Sequence, residues 1–192
     1  FNFITTIIWC FPVGFGFLGW ILFFAGLVGF FSSFGLSVTL LAGVPGLYLL
    51  YKDQLCSYKI PNFPRLNARL IFPLVLLAAS ILFDVLEALL PPADADSLAY
   101  HFALPKFFLQ NEELVFVPRA ADGAIPLLTQ LTFLPVLGLG GELSMTLWVG
   151  LTGLATAGFF YLVCRKFFNI YWSTLLAVLL MTTPAVLFGA GS

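Results

Sequence analysis

The residues that could carry chemistry lie in one short stretch, Asp94-Ala95-Asp96-Ser97-Leu98-Ala99-Tyr100-His101, directly after a long apolar run. His101 is the only histidine of the chain, and Asp94 and Asp96 are two of its nine acidic residues. An ionisable group beside a bilayer is costly unless it serves a purpose, so this cluster indicates a functional site. Carboxylates near an imidazole suit proton transfer, which makes Asp94, Asp96 and His101 the candidate catalytic residues.

The Asp94-Ala95-Asp96 spacing leaves three roles open. It matches the DxD pattern with which nucleotide-sugar enzymes hold a divalent metal, and hard cations prefer carboxylate oxygens, so these two residues are the candidate metal ligands. Two adjacent carboxylates also suit a general base, because each favours proton uptake by the other. The third role is structural, since Asp96 would cap a helix that begins at Ser97. In such a helix Asp94, Ser97 and His101 share one face, while Asp96 and Tyr100 pair four residues apart.

Composition places the chain in a membrane. Hydrophobic residues make up 61% and charged residues 9%, with a mean hydropathy of +1.06, whereas soluble domains are roughly 25% charged. The net charge of -1 comes with no basic stripe, which argues against nucleic acid as a partner. Cys10, Cys56 and Cys164 have no paired spacing, so neither a zinc site nor a disulfide framework is expected.

Long apolar runs and the positions of the basic residues predict the topology. The runs cover residues 3–31, 34–51, 70–90, 125–139, 143–163 and 171–188, and a helix needs about 20 residues to cross the hydrocarbon. Two loops are rich in basic residues and are therefore expected on the cytoplasmic side: Lys52, Lys59, Arg65 and Arg69 in one, Arg165 and Lys166 in the other. An odd number of crossings must then separate the polar stretch from Arg165.

One of the two runs between them is therefore expected not to span. The run 125–139 is the weaker candidate, because it is short, contains Pro126 and Pro135 and ends in a glycine-rich segment. It is predicted to be an interfacial or re-entrant helix on the outer side. The predicted fold is all-α and polytopic, with about five spanning helices and one or two juxtamembrane helices in an external loop over residues 91–141. We expect the chain to be a fragment of a longer protein.

Three further features have a functional and a structural interpretation. Lys106 and Arg119 are the only basic residues of the external loop. Either could bind a lipid phosphate or form ordinary surface ion pairs. Asp84 and Glu87, near the outer end of the third run, either reach the headgroups or line the same cavity as the loop acids. The segment Gly14-Phe15-Gly16-Phe17-Leu18-Gly19 matches the GxGxxG pattern, but within an apolar run it favours close helix packing over dinucleotide binding.

Several segments of the chain resemble the GT-C glycosyltransferases, and more narrowly the bacterial relatives of protein O-mannosyltransferases and lipid A aminoarabinose transferases. The resemblance covers about residues 70–192. It rests on Asp96-Ser97-Leu98-Ala99-Tyr100-His101-Phe102-Ala103-Leu104-Pro105, on a strand-like Val115-Phe116-Val117-Pro118 and on a proline-led interfacial helix, Ile125-Pro126-Leu127-Leu128-Thr129-Gln130. Two features depart from that family: Ser97 follows the key aspartate where many relatives have an acid, and Gly123-Ala124 stands where they have a lysine.

The resemblance implies a division into two N-terminal transmembrane helices with a cytoplasmic loop (1–69) and a GT-C-like membrane core (70–192). It implies transfer of a sugar from a polyprenyl-phosphate donor to an acceptor on the non-cytoplasmic side, in the inner membrane of a bacterium. Asp96 would be the essential carboxylate, supported by Asp94 and His101, while Arg119, Lys106 and Tyr100 would bind substrate. The expected partners are membrane lipids, the lipid-linked sugar and other membrane subunits. A divalent metal as cofactor is left as an open alternative. The alternative is a non-catalytic accessory subunit of a larger membrane complex.

Overall fold

The computed structural model describes residues 3–55, 68–91, 97–117 and 128–183, and every regular element in these ranges is a helix. The elements in chain order are α1 (Phe3–Leu27), α2 (Ser33–Leu41), α3 (Val44–Leu55), α4 (Ala68–Ala88), a short π-helix (Ser97–His101), α5 (Ala103–Asn111), α6 (Leu128–Leu131), α7 (Phe133–Cys164) and α8 (Ile170–Met181). The predicted all-α class is confirmed.

Three helices are long and apolar enough to cross a membrane: Thr5–Leu27 in α1, Ala68–Ala88 in α4 and Phe133–Cys164 in α7. The expectation of five spans is thus matched only in part. The apolar run 34–51 forms α2 and α3 with a turn at Ala42 and Gly43 between them. Together they give an apolar helical stretch of 17 residues, Ser33–Leu49, against the about 20 that a crossing usually needs. The described part of the last run, α8, has 12 residues.

The long helices expose large apolar side chains outward. On α1, Phe17 and Phe24 are 65% and 60% exposed, and on α4 Phe72 and Phe83 are 62% and 65% exposed. Apolar surface of this extent is rare on soluble monomers and marks contact with a membrane or with another protein. The exposure therefore agrees with the composition in indicating a membrane protein.

The N-terminal helices share a core with the segment that carries the candidate site. One buried cluster joins α1, α2, α5, α6 and α7, and its members are Leu22, Phe31, Leu36, Leu104, Phe108, Leu131 and Leu134. Two backbone hydrogen bonds connect the turn after α1 to the end of α5: Phe31 N–H donates to Glu112 O at 3.0 Å, and Leu114 N–H donates to Gly26 O at 2.9 Å. Residues 114–117 form no strand, and Leu114 is held to α1 by the second of these bonds.

The GxGxxG segment is entirely helical, because α1 runs from Phe3 to Leu27 with no strand before it, so the dinucleotide interpretation does not apply. Packing explains only one of its glycines. A Cβ on Gly19 would lie 2.8 Å from the carbonyl oxygen of Leu128, whereas a Cβ on Gly14 or Gly16 would meet nothing within 4 Å. Gly19 therefore permits close approach of α1 to α6, as glycines do between apolar helices.

A bend at Gly141 divides α7. Gly141 has φ 78° and ψ -172°, which is non-helical, and the helix continues on both sides of it. The eight residues from Phe133 to Gly140 rise only about 12 Å, while residues 142–164 rise about 34 Å, enough to cross the hydrocarbon alone. The bend coincides with the glycine-rich end of the run 125–139, where the sequence predicts a break. The location of the first part, residues 133–140, outside the membrane stays a prediction.

Substitution of Gly141 tests the bend directly. This φ/ψ combination is open almost only to glycine, so we expect Gly141→Ala to lower the free energy of unfolding by about 1–3 kcal/mol. Gly16→Ala in α1 is the matched control, because its Cβ would meet nothing within 4 Å, and a helical alanine is no worse than glycine. Denaturation of the purified protein in detergent measures both. Equal stability of the two variants would contradict the positive φ at Gly141 and the bend with it.

Candidate functional site

Several described polar residues, which follow α4 in the sequence and precede the bend at Gly141, lie beside α7. The π-helix Ser97–His101 and α5 follow one another with Phe102 between them, and Pro105 lies in the first turn of α5, where a proline is tolerated. Phe102 is 2% exposed and packs with Phe133, Leu137, Met145 and Val149 of α7. Tyr100, His101 and Lys106 are thus held on helices that are fixed to α7. Asp94, Asp96 and Arg119 lie outside the described residues.

His101 makes a long-range hydrogen bond to Gln130 of α6, with 2.8 Å between His101 Nδ1 and Gln130 Nε2. With Gln130 Nε2 as the donor, Nδ1 accepts, and a neutral ring then carries its proton on Nε2. The imidazole also contacts the Tyr100 ring, with centroids 4.1 Å apart and planes inclined by 46°. His101 and Tyr100 are half-buried, which leaves part of each ring accessible to a substrate.

Gln130 is a candidate functional residue for which the residue pattern alone assigns no role. It is 8% exposed, and its side-chain amide bonds to His101. A buried amide needs a partner, so Gln130 orients the imidazole while the imidazole satisfies the amide. The sequence does contain a signal that could have identified Gln130, because it is a strongly polar side chain within the apolar run 125–139.

The short helix that carries Gln130 is anchored on two sides. Thr132, 1% exposed, donates its hydroxyl to Thr129 O at 2.7 Å and accepts from Trp148 Nε1 of α7 at 3.3 Å. Trp148 in turn stacks on Phe15 of α1, with centroids 6.3 Å apart. α6 is therefore fixed to both α1 and α7, and this holds Gln130 in position against His101.

Lys106 forms an ion pair with Glu142, the residue that follows the bend, with 2.6 Å between Nζ and Oε1. The two side chains are 43% and 57% exposed, so the pair is worth about 0–1 kcal/mol in water. The pair connects α5 to the start of the longer part of α7. Its exposure leaves the ammonium group of Lys106 accessible to an additional anion.

The described residues contain no group of three or more His, Cys, Asp or Glu side chains that could hold a metal ion. The proposed ligands Asp94 and Asp96 lie outside those residues, so metal binding by them stays a hypothesis. Cys10 is exposed and Cys164 is buried, and both are free thiols.

Asp84 is a buried acid of α4. It is 4% exposed, packed between α4 and α7, and it lines a cavity with Leu147, Gly150 and Leu151. None of the residues that line this cavity with Asp84 belongs to the described part of the polar segment. Glu87, one turn later, is half-buried.

Comparison with protein families, with curated proteins and with solved structures finds no match for this chain. Its function is therefore inferred from its residues and their geometry.

Proposed function

We propose that the protein is an integral membrane glycosyltransferase of GT-C type, which transfers a sugar from a polyprenyl-phosphate donor to an acceptor on the non-cytoplasmic side. The observation that carries the proposal is the grouping of His101, Gln130 and the Lys106–Glu142 pair on short helices at one end of an apolar bundle. These groups directly follow the segment that contains Asp94 and Asp96. A lipid-linked donor requires such an arrangement, with polar chemistry beside apolar surface.

In the proposed reaction Asp96 accepts the proton of the acceptor hydroxyl, and the oxygen attacks the anomeric carbon of the sugar. The bond between that carbon and the phosphate oxygen breaks, and the phosphate leaves with the electron pair. Arg119 or Lys106 stabilises the charge that develops on the phosphate. Asp94 and His101 support Asp96, and the Nε2–H of His101 is free to donate to a substrate oxygen. Tyr100 provides a ring against which a sugar packs.

The orientation is supported by which helix ends lie together. Lys166, just after α7, lies over the Trp9 ring at 4.3 Å from its centroid, and Trp9 contacts Phe159 with centroids 5.0 Å apart. The beginning of α1 is therefore at the same end of the bundle as Arg165 and Lys166. If that end is cytoplasmic, as the basic residues suggest, the N-terminus is inside and the loop 91–141 is outside. Five spans and a bacterial inner membrane complete the proposed layout.

A transfer assay tests the proposal. The full-length protein is purified, inserted into vesicles and supplied with a labelled polyprenyl-phosphate sugar and membrane acceptors. We expect label to move from donor to acceptor, and to stay on the donor in vesicles without protein. Absence of transfer from every donor tried, with folded protein that assembles with partner membrane chains, would favour the accessory-subunit alternative.

The proposed phosphate contact of Lys106 yields a separate prediction. A charge-assisted hydrogen bond to a buried or bound anion contributes about 1.5–3 kcal/mol, so Lys106→Met should lower transfer by about 10- to 100-fold. Glu142→Gln breaks the same ion pair but keeps the ammonium group, so transfer should change by less than about threefold. Initial rates of both variants measure the difference. Equal losses would mean that only the ion pair matters, and the phosphate contact would then fall to Arg119.

A further inference from the structure

Asp84 is a buried carboxyl group inside a candidate spanning helix. It is 4% exposed, and its Oδ1 atom has no hydrogen-bond partner in the part of the chain that the structure describes. An unpaired carboxyl group in apolar surroundings costs several kcal/mol by general estimates, so intramembrane acids mark functional sites. The proposed transfer reaction does not use Asp84, since the residue packs against α7 and not against the helices that carry His101.

Asp84 lines a cavity of about 160 Å³ between α4 and α7, whose other lining residues are apolar. Leu154 lines this cavity and also a second, larger one of about 620 Å³ between α4, α7 and α8. The larger volume falls within the range of about 300–1,000 Å³ that is usual for small-molecule sites. Leu154 is shared by the two cavities, which together are termed the groove, and Asp84 lines the smaller of them.

The length of the groove suits a hydrocarbon chain. Along α4 the larger cavity runs from Leu70 to Ile81, about 17 Å at the helical rise. Its lining is almost entirely apolar, as a site for a hydrocarbon chain requires. Small side chains create the space, notably Ala157 and Gly158 on α7 and Ala177 on α8.

We propose that Asp84 and this groove bind a membrane lipid with a protonated primary amine in its headgroup. The ammonium group would donate to the carboxylate of Asp84 and neutralise it, and one hydrocarbon chain would occupy the groove. Asp84 lies four residues before Ala88 at the end of α4, about 6 Å along the axis, a depth that a headgroup amine can reach. This binding site is independent of the proposed transferase activity.

Photo-crosslinking of the full chain tests the occupant. A photoreactive residue replaces Leu151, which lines the cavity with Asp84, and in a matched control it replaces Phe83, which is 65% exposed on α4. The vesicles contain equal parts of phosphatidylethanolamine, phosphatidylcholine and phosphatidylglycerol. We expect the Leu151 probe to capture phosphatidylethanolamine at least about tenfold over the other lipids, the ratio that one charge-assisted hydrogen bond provides. The Phe83 probe should capture the three lipids equally.

Two results would overturn the proposal without any change at Asp84. Capture of a protein segment by the Leu151 probe would show that a helix of this or another chain fills the groove. Equal capture of the three lipids, or preferred capture of phosphatidylglycerol, would show that no amine is recognised.

Variants then assign the contact to Asp84. Asp84→Asn keeps the size and removes the charge, so the preference for phosphatidylethanolamine should disappear. Glu87→Gln, one turn away on the same helix, should retain it. A preference that survives in Asp84→Asn would overturn the role of Asp84. If Asp84→Asn does not fold, the capture ratio between Leu151 and Phe83 in the otherwise unchanged chain still decides the occupant.

Discussion

Asp96→Asn is expected to lower sugar transfer by about 10²- to 10⁴-fold, the usual contribution of a positioned general base. Asparagine caps a helix about as well as aspartate, so the helix that follows and the folded protein should be preserved. Initial transfer rates from a labelled polyprenyl-phosphate sugar, measured in vesicles with equal amounts of folded protein, give the ratio. The change thus separates the catalytic role of the carboxylate from its structural role.

Glu113→Gln is the matched control, because Glu113 is an exposed acid in the same polar segment. It should transfer sugar at the rate of the unchanged protein. If Asp96→Asn transfers at that rate too, Asp96 is not the base and only its capping role remains. If both variants lose activity equally, the effect comes from the net charge of the segment.

Phe102→Ala is expected to lower the free energy of unfolding by about 3–5 kcal/mol, as truncation of a buried aromatic ring usually does. Phe102 is 2% exposed and fills the space between the π-helix and α7. Its loss should also loosen the hydrogen bond between His101 and Gln130, because the π-helix loses its anchor. Denaturation in detergent and the chemical shifts of the His101 ring measure the two effects.

Phe107→Ala controls for the loss of an aromatic ring on α5. Phe107 is 39% exposed, so its truncation should cost well under half as much and leave the His101 signals in place. A Phe102→Ala variant as stable as Phe107→Ala would contradict the packing that fixes the site to α7.

Hydropathy predicts the long helices well, because composition alone decides whether about 20 residues can remain in hydrocarbon. For the run 34–51 it does not reveal the turn at Ala42 and Gly43, which separates α2 from α3 and leaves the composition apolar. The glycine-rich segment before Glu142 does predict the position of the bend in α7. The φ of 78° at Gly141 explains why, because only glycine adopts that conformation without strain.

The contacts of the site could not be predicted from the residue pattern. His101 and Gln130 are 29 residues apart, and Lys106 and Glu142 are 36 residues apart. Such pairs depend on how α5, α6 and α7 pack, which neither periodicity nor composition encodes. The burial of Asp84 against α7 could not be predicted either. The sequence predicts the position of a residue along a helix but not the neighbouring helix that it faces.

The side of the membrane on which Glu142 lies tests the central claim, an external site after α4, most directly. Single cysteines replace Glu142, Glu113 or Arg165 in a background without Cys10, Cys56 and Cys164, and a membrane-impermeant thiol reagent is applied to oriented vesicles of the full chain. Glu142 and Arg165 are exposed, and the helix 142–164 between them is about 34 Å long. We predict labelling of positions 142 and 113 from the non-cytoplasmic side and of position 165 from the cytoplasmic side. Labelling of position 142 only from the cytoplasm would contradict the proposed topology and the external site with it.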